Sequence, residues 1–568
     1  MQASRVKKRV AAAPDYWKDV LDEKSKQKDL IILLLLFAAH AFCFLPICFQ
    51  VGFYLDDWLT FWNLHFAPHN FFDLLKASFS DPRMITRPVQ CFYYASTYFF
   101  FGDRPLPYHL LRFALEFGGA VALYFGIKRL SLSHFVAALS ALFFLLYPTH
   151  DASHYWIGGG LGPGFGLTLF LASFCFAMKG FAERNRLFQT LSVIFYGLSA
   201  FCYEAFLPMI VLSLCGVLLI SAERRSASRL LTMGAALSWF WPFLAVGLLE
   251  PVYQRVFLPH VAHVFLSPSA ADPAYFATVF IQGLNVSLFA GLWSFLAERV
   301  REAIISFKPQ YAMQLIGVLG SSAALLLFSY KNDRIRYRRL FTAATLTFFA
   351  SYLTFAVAQS YMPVLNTMIN RVNIGSSVGV SILLALSLKW VIDHMLISHR
   401  RAKASCVLLC LPLIAILVLS NLALSSFWVS SWNSQKNVRF LVSKNRDQIK
   451  DGDCIILADT HRYLNWAPLF DGTWDFQSML RMTLNTNKVS GGVVSDRLIV
   501  EGNTIHDVSA AFVCGSYPAD KIKVFLPCEQ TLVPVQSSAE FIKVVEQRST
   551  HIPPSKETLA AWRKGLRK

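Results

Sequence analysis

Long apolar runs separated by short basic segments dominate the chain up to residue 424. The first run, residues 30–53, exceeds the roughly 20 apolar residues that a helix needs to cross a bilayer. Runs of this kind recur along the chain, and we interpret about 11 of them as transmembrane helices. The pattern predicts a mainly α, polytopic membrane helix bundle over residues 30–424.

Two apolar stretches are predicted to lie along the membrane surface, in large outer loops at residues 54–106 and 250–310. Residues 88–101 are aromatic but too few to cross a bilayer. Residues 275–296 are long enough, but a crossing there would place the basic cluster at residues 331–339 on the outer side. That outcome opposes the rule that basic loops stay in the cytoplasm, so we assign this stretch to the outer interface.

The charge pattern gives the orientation. The chain carries 53 Lys and Arg and a formal net charge of +18. Nearly half of these basic residues fall in a tail at residues 1–29 and in alternate loops, which the positive-inside rule places in the cytoplasm. Because they are not gathered on one soluble domain, we predict no nucleic-acid partner. The sequence therefore predicts a multi-pass integral membrane protein with a cytoplasmic N-terminus.

After residue 424 the composition becomes that of a soluble domain. Residues 453–458, 492–500 and 522–526 have the pattern of strands, and residues 474–484 and 538–547 that of helices. We predict a small extracytoplasmic α/β domain at residues 425–552. A basic tail, residues 553–568, follows it.

Two adjacent carboxylates, Asp56 and Asp57, stand among aromatic residues just after the first apolar run. A charge near hydrocarbon costs about 2.5 kcal/mol or more, so one interpretation places the pair in a polar cavity. The other is an acidic cap on an interfacial aromatic belt. Both interpretations stay open from this stretch alone.

Other polar residues recur at the predicted outer ends of the helices, where boundary charges often mark function. They are Arg87, His109, His150, Asp151, His154, Glu204 and Arg371. Several have an ordinary structural explanation. Arg371 could extend to lipid headgroups, and Glu204 could satisfy backbone freed by Pro208.

Two further pairs have alternative interpretations. Arg112 and Glu116 stand four residues apart on one helix and could neutralise each other. His150 and His154 have the spacing of two metal ligands on a helix, but a proline and a glycine run flank them. The residues predict no cofactor and leave a divalent metal open.

The order of these motifs resembles the GT-C class of polytopic glycosyltransferases. It is similar to protein O-mannosyltransferases, the membrane cores of tetratricopeptide-containing O-mannosyltransferases, and bacterial arabinosyltransferases. The resemblance covers roughly residues 30–400. The residues that carry it are Asp56, Asp57, Arg87, Pro88, Phe101, Gly102, Pro107, Tyr108, His109, Leu110, Tyr147, Pro148, His150, Glu204 and the segment NRVNIGSSVG at 370–379.

This resemblance implies transfer of a sugar from a polyprenyl-phosphate-linked donor to a glycan, lipid or protein acceptor, with inversion, at the outer face of a bacterial inner membrane. It implies that the first acidic residue, Asp56, is the general base and that Asp57 supports it. Arg371 or Arg87 would stabilise the departing phosphate. The remaining outer polar residues would line the cavity.

Two alternative functions stay open. A lipid-sugar flippase or transporter would bind cargo with the same charges, but it should also show polar residues at the middle of several helices and broken helices in matching halves. The charges here lie at outer ends, and the chain shows no halves. An oligosaccharide polymerase or ligase with a lipid diphosphate donor is the other alternative.

Overall fold

The computed structural model describes residues 23–82, 84–224, 229–257, 272–331, 335, 337–358, 361–395, 399–510 and 513–566. Most of the predicted basic tail at residues 1–29 and part of the predicted loop at residues 250–310 lie outside these ranges. The helices of the membrane region are α1 Glu23–Cys48, α2 Asp56–His65, α3 Phe71–Ser80, α4 Pro88–Phe101, α5 Pro105–Ser131, α6 His134–Leu146, α7 Asp151–Tyr155, α8 Phe165–Glu183, α9 Arg186–Cys202, α10 Val211–Arg224, α11 Arg229–Val252, α12 Pro273–Ser287, α13 Ala290–Ile305, α14 Pro309–Ser329, α15 Tyr337–Ala358, α16 Ile374–Met395 and α17 His399–Lys444.

Within the described ranges, eight helical segments are long and apolar enough to cross a membrane, or nine if α6 and the bent segment after it form one span. The count of about 11 is therefore not confirmed. Two predicted spans correspond to shorter apolar helices, Arg186–Cys202 and Glu204–Ile220. The mainly helical, multi-pass character that the sequence predicts agrees with this architecture.

The segment Pro273–Ile305 is among the eight by length and composition, and it includes residues 275–296, which were predicted to lie at the outer interface. A break at Leu288 and Phe289 divides it into α12 and α13, of 15 and 16 residues. Each helix alone is shorter than the roughly 20 residues that a span requires. Length and composition thus permit a crossing that the charge rule disfavoured.

Three ion pairs involve residues near the predicted cytoplasmic ends of the helices. Lys128 bonds to Asp29 at 2.7 Å, Lys389 to Asp393 at 2.5 Å, and Arg129 lies 3.8 Å from Glu183. The C-terminal domain contacts the other end, which we call the domain end. Asp56 and Asp57 belong to the domain end, because their helix α2 packs against the domain.

Helix α17 continues 20 residues beyond the predicted boundary at residue 424 and joins the bundle to the domain. Its side chains explain the continuation, since Trp428, Trp432 and Gln435 are buried against the segment around α2. The strands and helices of the C-terminal region therefore follow Lys444.

The C-terminal domain combines a mixed sheet with an antiparallel one. Its elements are β1 Cys454–Leu457, β2 Tyr463–Leu464, β3 Ala467–Pro468, α18 Thr473–Leu484, β4 Ser490–Val493, β5 Leu498–Glu501, β6 Thr504–Ala510, β7 Val513–Pro518, β8 Ile522–Leu526, β9 Thr531–Pro534, α19 Ser538–Arg548 and α20 Lys556–Gly565. The mixed sheet has the order β4-β1-β8-β9, with β1 parallel to β4 and β8, and the antiparallel sheet has the order β5-β6-β7.

Two details of the domain differ from the sequence prediction. The single strand expected at residues 492–500 is two strands, β4 and β5, which belong to different sheets. The basic tail expected at residues 553–568 contains helix α20, whose Trp562 is buried and donates a 2.6 Å hydrogen bond to the carbonyl of Leu498. Trp562 and Leu559, three residues apart on α20, are both buried in the core of the domain and hold this basic segment on it.

Helix α2 is tied down at its C-terminal end as well. His65 Nδ1 lies 2.7 Å from Asp103 Oδ2, and its Nε2 lies 3.3 Å from Asn485 Oδ1. Both neighbours are acceptors, so the imidazolium form, which donates from both nitrogens, fits best. The hydrogen bond to Asp103 raises the pKa of His65, against the opposing effect of burial.

We expect this pair to make stability depend on pH. A raised folded-state pKa means that the full contribution is present below the unfolded value, near 6.5, and is lost as pH rises through the folded pKa. The free energy of unfolding of wild type should exceed that of His65→Gln by about 0.2 to 1 kcal/mol at pH 6, and this difference should be smaller at pH 9. Thermal unfolding of both proteins across this range measures it, and a difference that grows with pH would contradict it.

Candidate functional site

Asp56 and Asp57 open helix α2 after a strained junction. Leu55, the residue before the helix, has φ 49° and ψ −120°. Such a conformation for a residue other than glycine costs about 1 to 3 kcal/mol and persists only where packing enforces it. Here Leu55 is buried, and at Gly52 the ring of Trp432 lies where a Cβ would be. The junction is therefore rigid, and strain of this kind is common at functional sites.

The Asp57 carboxylate is buried and accepts two backbone hydrogen bonds. Tyr54 N donates to Oδ2 at 3.0 Å, and Gly158 N donates to Oδ1 at 2.7 Å. Burial raises the pKa of Asp57 well above its ordinary value, and the charge of Asp56 adds to this, although the two N–H groups oppose it. Asp56, in contrast, is half-buried. The two neighbouring carboxylates thus have different environments.

Gly158 belongs to the glycine-rich segment that leads into α8. Residues Gly160–Gly164 form a π-helical turn, a feature that is frequent at functional sites. Just before it, the indole N–H of Trp156 faces the Asp57 carboxyl and favours its ionised form without completing a hydrogen bond. The segment therefore provides Asp57 with both a backbone donor and a ring wall.

Arg371 lies against the same tryptophan. Its guanidinium carbon is 4.9 Å from the centre of the Trp156 ring and 5.7 Å from that of Tyr361. The side chain is half-buried, and no described acidic residue forms an ion pair with it. Arg371 lies in the short helical turn Met368–Asn373 that precedes α16. Trp156 thus brings a carboxylate and a cation from distant parts of the chain to one place.

Arg87 and Glu204, both predicted site residues, form a two-pronged ion pair. Arg87 Nε and Nη2 donate to the two carboxylate oxygens of Glu204 at 2.8 and 2.6 Å. The Arg87 guanidinium also lies 4.6 Å from the centre of the Tyr203 ring. Burial alone would lower the pKa of Arg87, but the charge of Glu204 and its hydrogen bonds raise it overall. Glu204 therefore has a charged partner in the structure.

Tyr203 and Tyr361 lie near both arginines. Burial raises the pKa of Tyr203, whereas the charges of Arg371 and Arg87 each lower it by a smaller amount. Tyr361, whose ring lies against Arg371, contributes to the raised pKa of Arg87. The two arginines, predicted as donor phosphate ligands, are thus brought near one another. Together with Trp156 and Asp57, these residues make up what we call the domain-end cluster.

Asp151 has a supporting place next to this cluster. It accepts a hydrogen bond from Trp428 Nε1 at 2.8 Å and another from the side-chain amide of Asn370, the neighbour of Arg371. Asn370 Oδ1 also accepts from Ala152 N at 3.2 Å. Asp151 is therefore fully engaged in fixing the turn that carries Arg371.

The three predicted histidines do not join the domain-end cluster. His109 is buried, with Nε2 3.0 Å from the carbonyl of Gly52. His150 and His154 pack ring against ring, with centres 4.6 Å apart, and His154 Nδ1 lies 3.3 Å from Glu116. Glu116 in turn pairs with Arg112 at 2.6 Å, as their spacing predicted. These groups form a separate buried polar cluster between α1, α5 and α7.

Sequence analysis missed the aromatic and amide members of the site. Trp156, Tyr203 and Tyr361 have no distinguishing spacing in a chain that is 15% aromatic. Asn370 stood inside a motif that was singled out for its arginine. The available signal was adjacency, since Trp156 precedes the glycine run and Tyr203 precedes Glu204.

A grouping able to hold a metal ion occurs once in the part of the chain that the structure describes. It consists of Asp459, Cys528 and His551 in the C-terminal domain. Asp459 is already bonded to the backbone N–H groups of His551 and Ile552, at 2.8 and 2.9 Å. At the domain-end cluster, the described residues offer no such trio.

Comparison with known proteins yields structural similarities to solved chains but no match to a family model or a curated protein. Among solved structures, the chain is similar to the archaeal oligosaccharyltransferase AglB from Archaeoglobus fulgidus, in complex with an inhibitory peptide and a dolichol-phosphate. The identity is 11% and the TM-score is 0.40, and the match covers 82% of this chain and 65% of AglB. At this level the functional argument rests on the geometry of the site.

Proposed function

We propose that this protein is an inverting membrane glycosyltransferase. It moves a sugar from a polyprenyl-phosphate donor to a glycan, lipid or protein acceptor on the outer side of the membrane. The observation that carries the proposal is that one short segment contacts both charged groups: Gly158 N donates to the Asp57 carboxylate at 2.7 Å, and the Arg371 guanidinium lies 4.9 Å from the centre of the Trp156 ring. Such a reaction needs a base for the acceptor and a cation for the departing phosphate in one small space.

Asp56 is the general base in this proposal, and Asp57 positions it. A base must reach the acceptor hydroxyl, which suits Asp56, the more exposed of the two carboxylates. Burial favours the neutral form of Asp57, whose oxygens are already occupied by Tyr54 N and Gly158 N. The strained junction at Leu55 keeps the catalytic carboxylate from moving, as efficient proton transfer requires.

Arg371 is the phosphate ligand. Negative charge grows on the phosphate oxygens as the glycosidic bond breaks, and a guanidinium can donate to two of them at once. Arg371 forms no ion pair with the described residues, whereas Glu204 already neutralises Arg87. Arg87 can add its Nη1, which takes no part in the bonds to Glu204. Arg371 offers its whole guanidinium and Arg87 only the part that does not bond to Glu204, and this limited positive charge suits a monophosphate better than a diphosphate.

The approach of a lipid donor is supported by exposed aromatic residues on α3 and α4. The side chains of Phe72, Phe92 and Phe100 are 79%, 56% and 75% exposed, so these two helices present large apolar groups at the surface of the protein. Helix α4 has 14 residues, too few to cross a bilayer, and it begins directly after Arg87. Its apolar side suits contact with the lipid surface and with the prenyl chain of the donor.

Removal of the protein from its cells tests the reaction. Because the donor is consumed by the transfer, we expect one polyprenyl-phosphate sugar to accumulate in membranes that lack the protein. Mass spectrometry of the lipid extract identifies it, and re-expression of wild type should reverse the accumulation. Unchanged lipid-linked sugars would contradict the transferase and favour a transporter of another solute.

The orientation of the chain is a further prediction, made from its basic loops. The domain end should face outward, and the end with the ion pairs around Asp29 and Asp393 should face the cytoplasm. A single cysteine at Gly452 should react with a membrane-impermeant thiol reagent in intact cells, in a background without native cysteines. A cysteine at Arg338 should react only after permeabilisation. Labelling of Arg338→Cys in intact cells would contradict the orientation.

A further inference from the structure

A polar cleft of about 390 Å³ opens in the C-terminal domain. This volume lies in the usual range for sites that bind small molecules. Side chains from several elements line it, among them Thr473, Gln477, Arg481, Ser490, Tyr517 and Lys521. Thr473, Gln477 and Arg481 follow one another at intervals of four along α18 and therefore share one face of that helix.

The cleft has a positive charge that its lining does not balance. Arg481 and Lys521 are both cationic, and no carboxylate is found among the described residues that line the cleft. Asp507 is buried behind the lining, where its carboxylate accepts a hydrogen bond from the Thr473 hydroxyl. The accessible surface of the cleft is consequently suited to an anion.

Arg481 is held in place with part of its guanidinium unused. Its Nε donates to the carbonyl of Val489 at 2.8 Å, and the group lies 4.9 Å from the centre of the Trp62 ring. Burial lowers the pKa of Arg481, and the described neighbour that opposes this is Tyr517 instead of a carboxylate. A half-buried cation without an acidic partner is costly, and an anionic ligand would offset that cost.

The remaining lining residues suit a sugar. Thr473, Ser490 and Gln477 have hydroxyl or amide groups that can exchange hydrogen bonds with hydroxyl groups. Gln477 uses its oxygen to accept from Gly491 N at 3.2 Å, so its amide N–H groups point elsewhere. The cleft thus combines anion-binding cations with several neutral polar groups.

The cleft is connected to the proposed catalytic site by helix α2. Trp62, which supports Arg481, lies six residues after Asp56 on this helix, so about 9 Å separates them along the axis. Trp62 Nε1 also donates to Asn487 Oδ1 at 2.7 Å, which fixes the domain on α2. A chain of a few sugar units could therefore contact both places.

We propose that this cleft binds a negatively charged saccharide unit, bearing a carboxylate or a phosphate, of the acceptor glycan. Arg481 and Lys521 bind the anionic group, and Thr473, Gln477 and Ser490 bind the hydroxyl groups. This inference rests on the proposed function, because it assigns a class of acceptor to the same transferase.

The test measures binding of small probes to the full-length protein in nanodiscs by saturation-transfer NMR. The probes are D-glucuronate and glucose 6-phosphate, with D-glucose for comparison, and inorganic phosphate is tested as a competitor of glucose 6-phosphate because it has no carbon-bound protons to observe. We expect both anionic sugars to bind more tightly than glucose or phosphate. Arg481→Gln should weaken them by about tenfold to a hundredfold, the scale of a charge-assisted hydrogen bond. Lys521→Gln, at an exposed position, should weaken them without a risk to folding.

Arg563→Gln is the matched control, because Arg563 is exposed in the same domain and pairs with Glu546 at 2.5 Å. It should bind both sugars like wild type. Equal binding by wild type and both cleft variants would overturn the proposal, as would phosphate binding as tightly as the sugars. Release of polyprenyl phosphate from the donor by wild type, measured with acceptor-containing envelope material, reports on the transferase separately. Release by wild type without binding of the anionic sugars would overturn the cleft proposal alone, whereas binding without release would contradict the proposed function.

Discussion

Asp56→Asn is expected to reduce turnover by a factor on the order of 10² to 10⁴ while donor binding survives. Asparagine keeps the size and the hydrogen-bonding capacity of the side chain but cannot take a proton. Asp56 opens helix α2 on a rigid junction, so the substitution should leave the backbone in place. Initial rates of sugar transfer, together with donor affinity, measure the effect.

Two matched variants show whether the loss belongs to this position. Asp73→Asn, in the first turn of the neighbouring helix α3, should keep wild-type turnover. Asp57→Asn should lose activity for a different reason. Tyr54 N and Gly158 N donate to different oxygens of the carboxylate, and the substitution replaces one of these acceptors with an N–H₂ donor. Turnover within a few-fold of wild type in Asp56→Asn, combined with an inactive Asp57→Asn, would reverse the two roles.

Arg371→Lys is expected to lose about a hundredfold in turnover although the charge is kept. A guanidinium can bind two phosphate oxygens and lie flat on an aromatic ring, whereas an ammonium does neither as well. Arg371 depends on both properties, because it lies between Trp156 and Tyr361 and has no described acidic partner. Single-turnover kinetics with saturating donor separate this loss from weaker binding.

Arg439 provides the control for stacking alone. Its guanidinium lies 5.7 Å from the centre of the Trp58 ring, so Arg439→Lys removes a similar contact away from the proposed phosphate. We expect this variant to keep near wild-type turnover. If Arg371→Lys were equally active, Arg371 would be only a boundary anchor, and the phosphate role would move to Arg87.

Local features of the site could be predicted from the sequence because they depend on near neighbours. The acidic pair after the first apolar run is one such feature, and the Arg112–Glu116 pair, four residues apart on a helix, is another. Helix α18 and strands β1 and β8 also lie where the apolar pattern places them. In each case the deciding interaction spans only a few residues.

Features that depend on distant partners could not be predicted in this way. Trp156 and Arg371 are more than two hundred residues apart, and only the packing of the bundle brings them together. The same holds for Asp151, whose partner Trp428 lies on a helix that was expected to end before it. The number of spans is not confirmed, because short apolar helices and a bent segment resemble full crossings in composition.

Release of free polyprenyl phosphate tests the central claim most directly. The donor extracted from membranes that lack the protein is supplied to purified wild type, and to the Asp56→Asn/Asp57→Asn double variant, in nanodiscs with acceptor-containing envelope material. We predict release by wild type and release at least about a hundredfold slower by the double variant, because no carboxylate remains to take the acceptor proton. Equal release by the two proteins would contradict a transferase that works at this site.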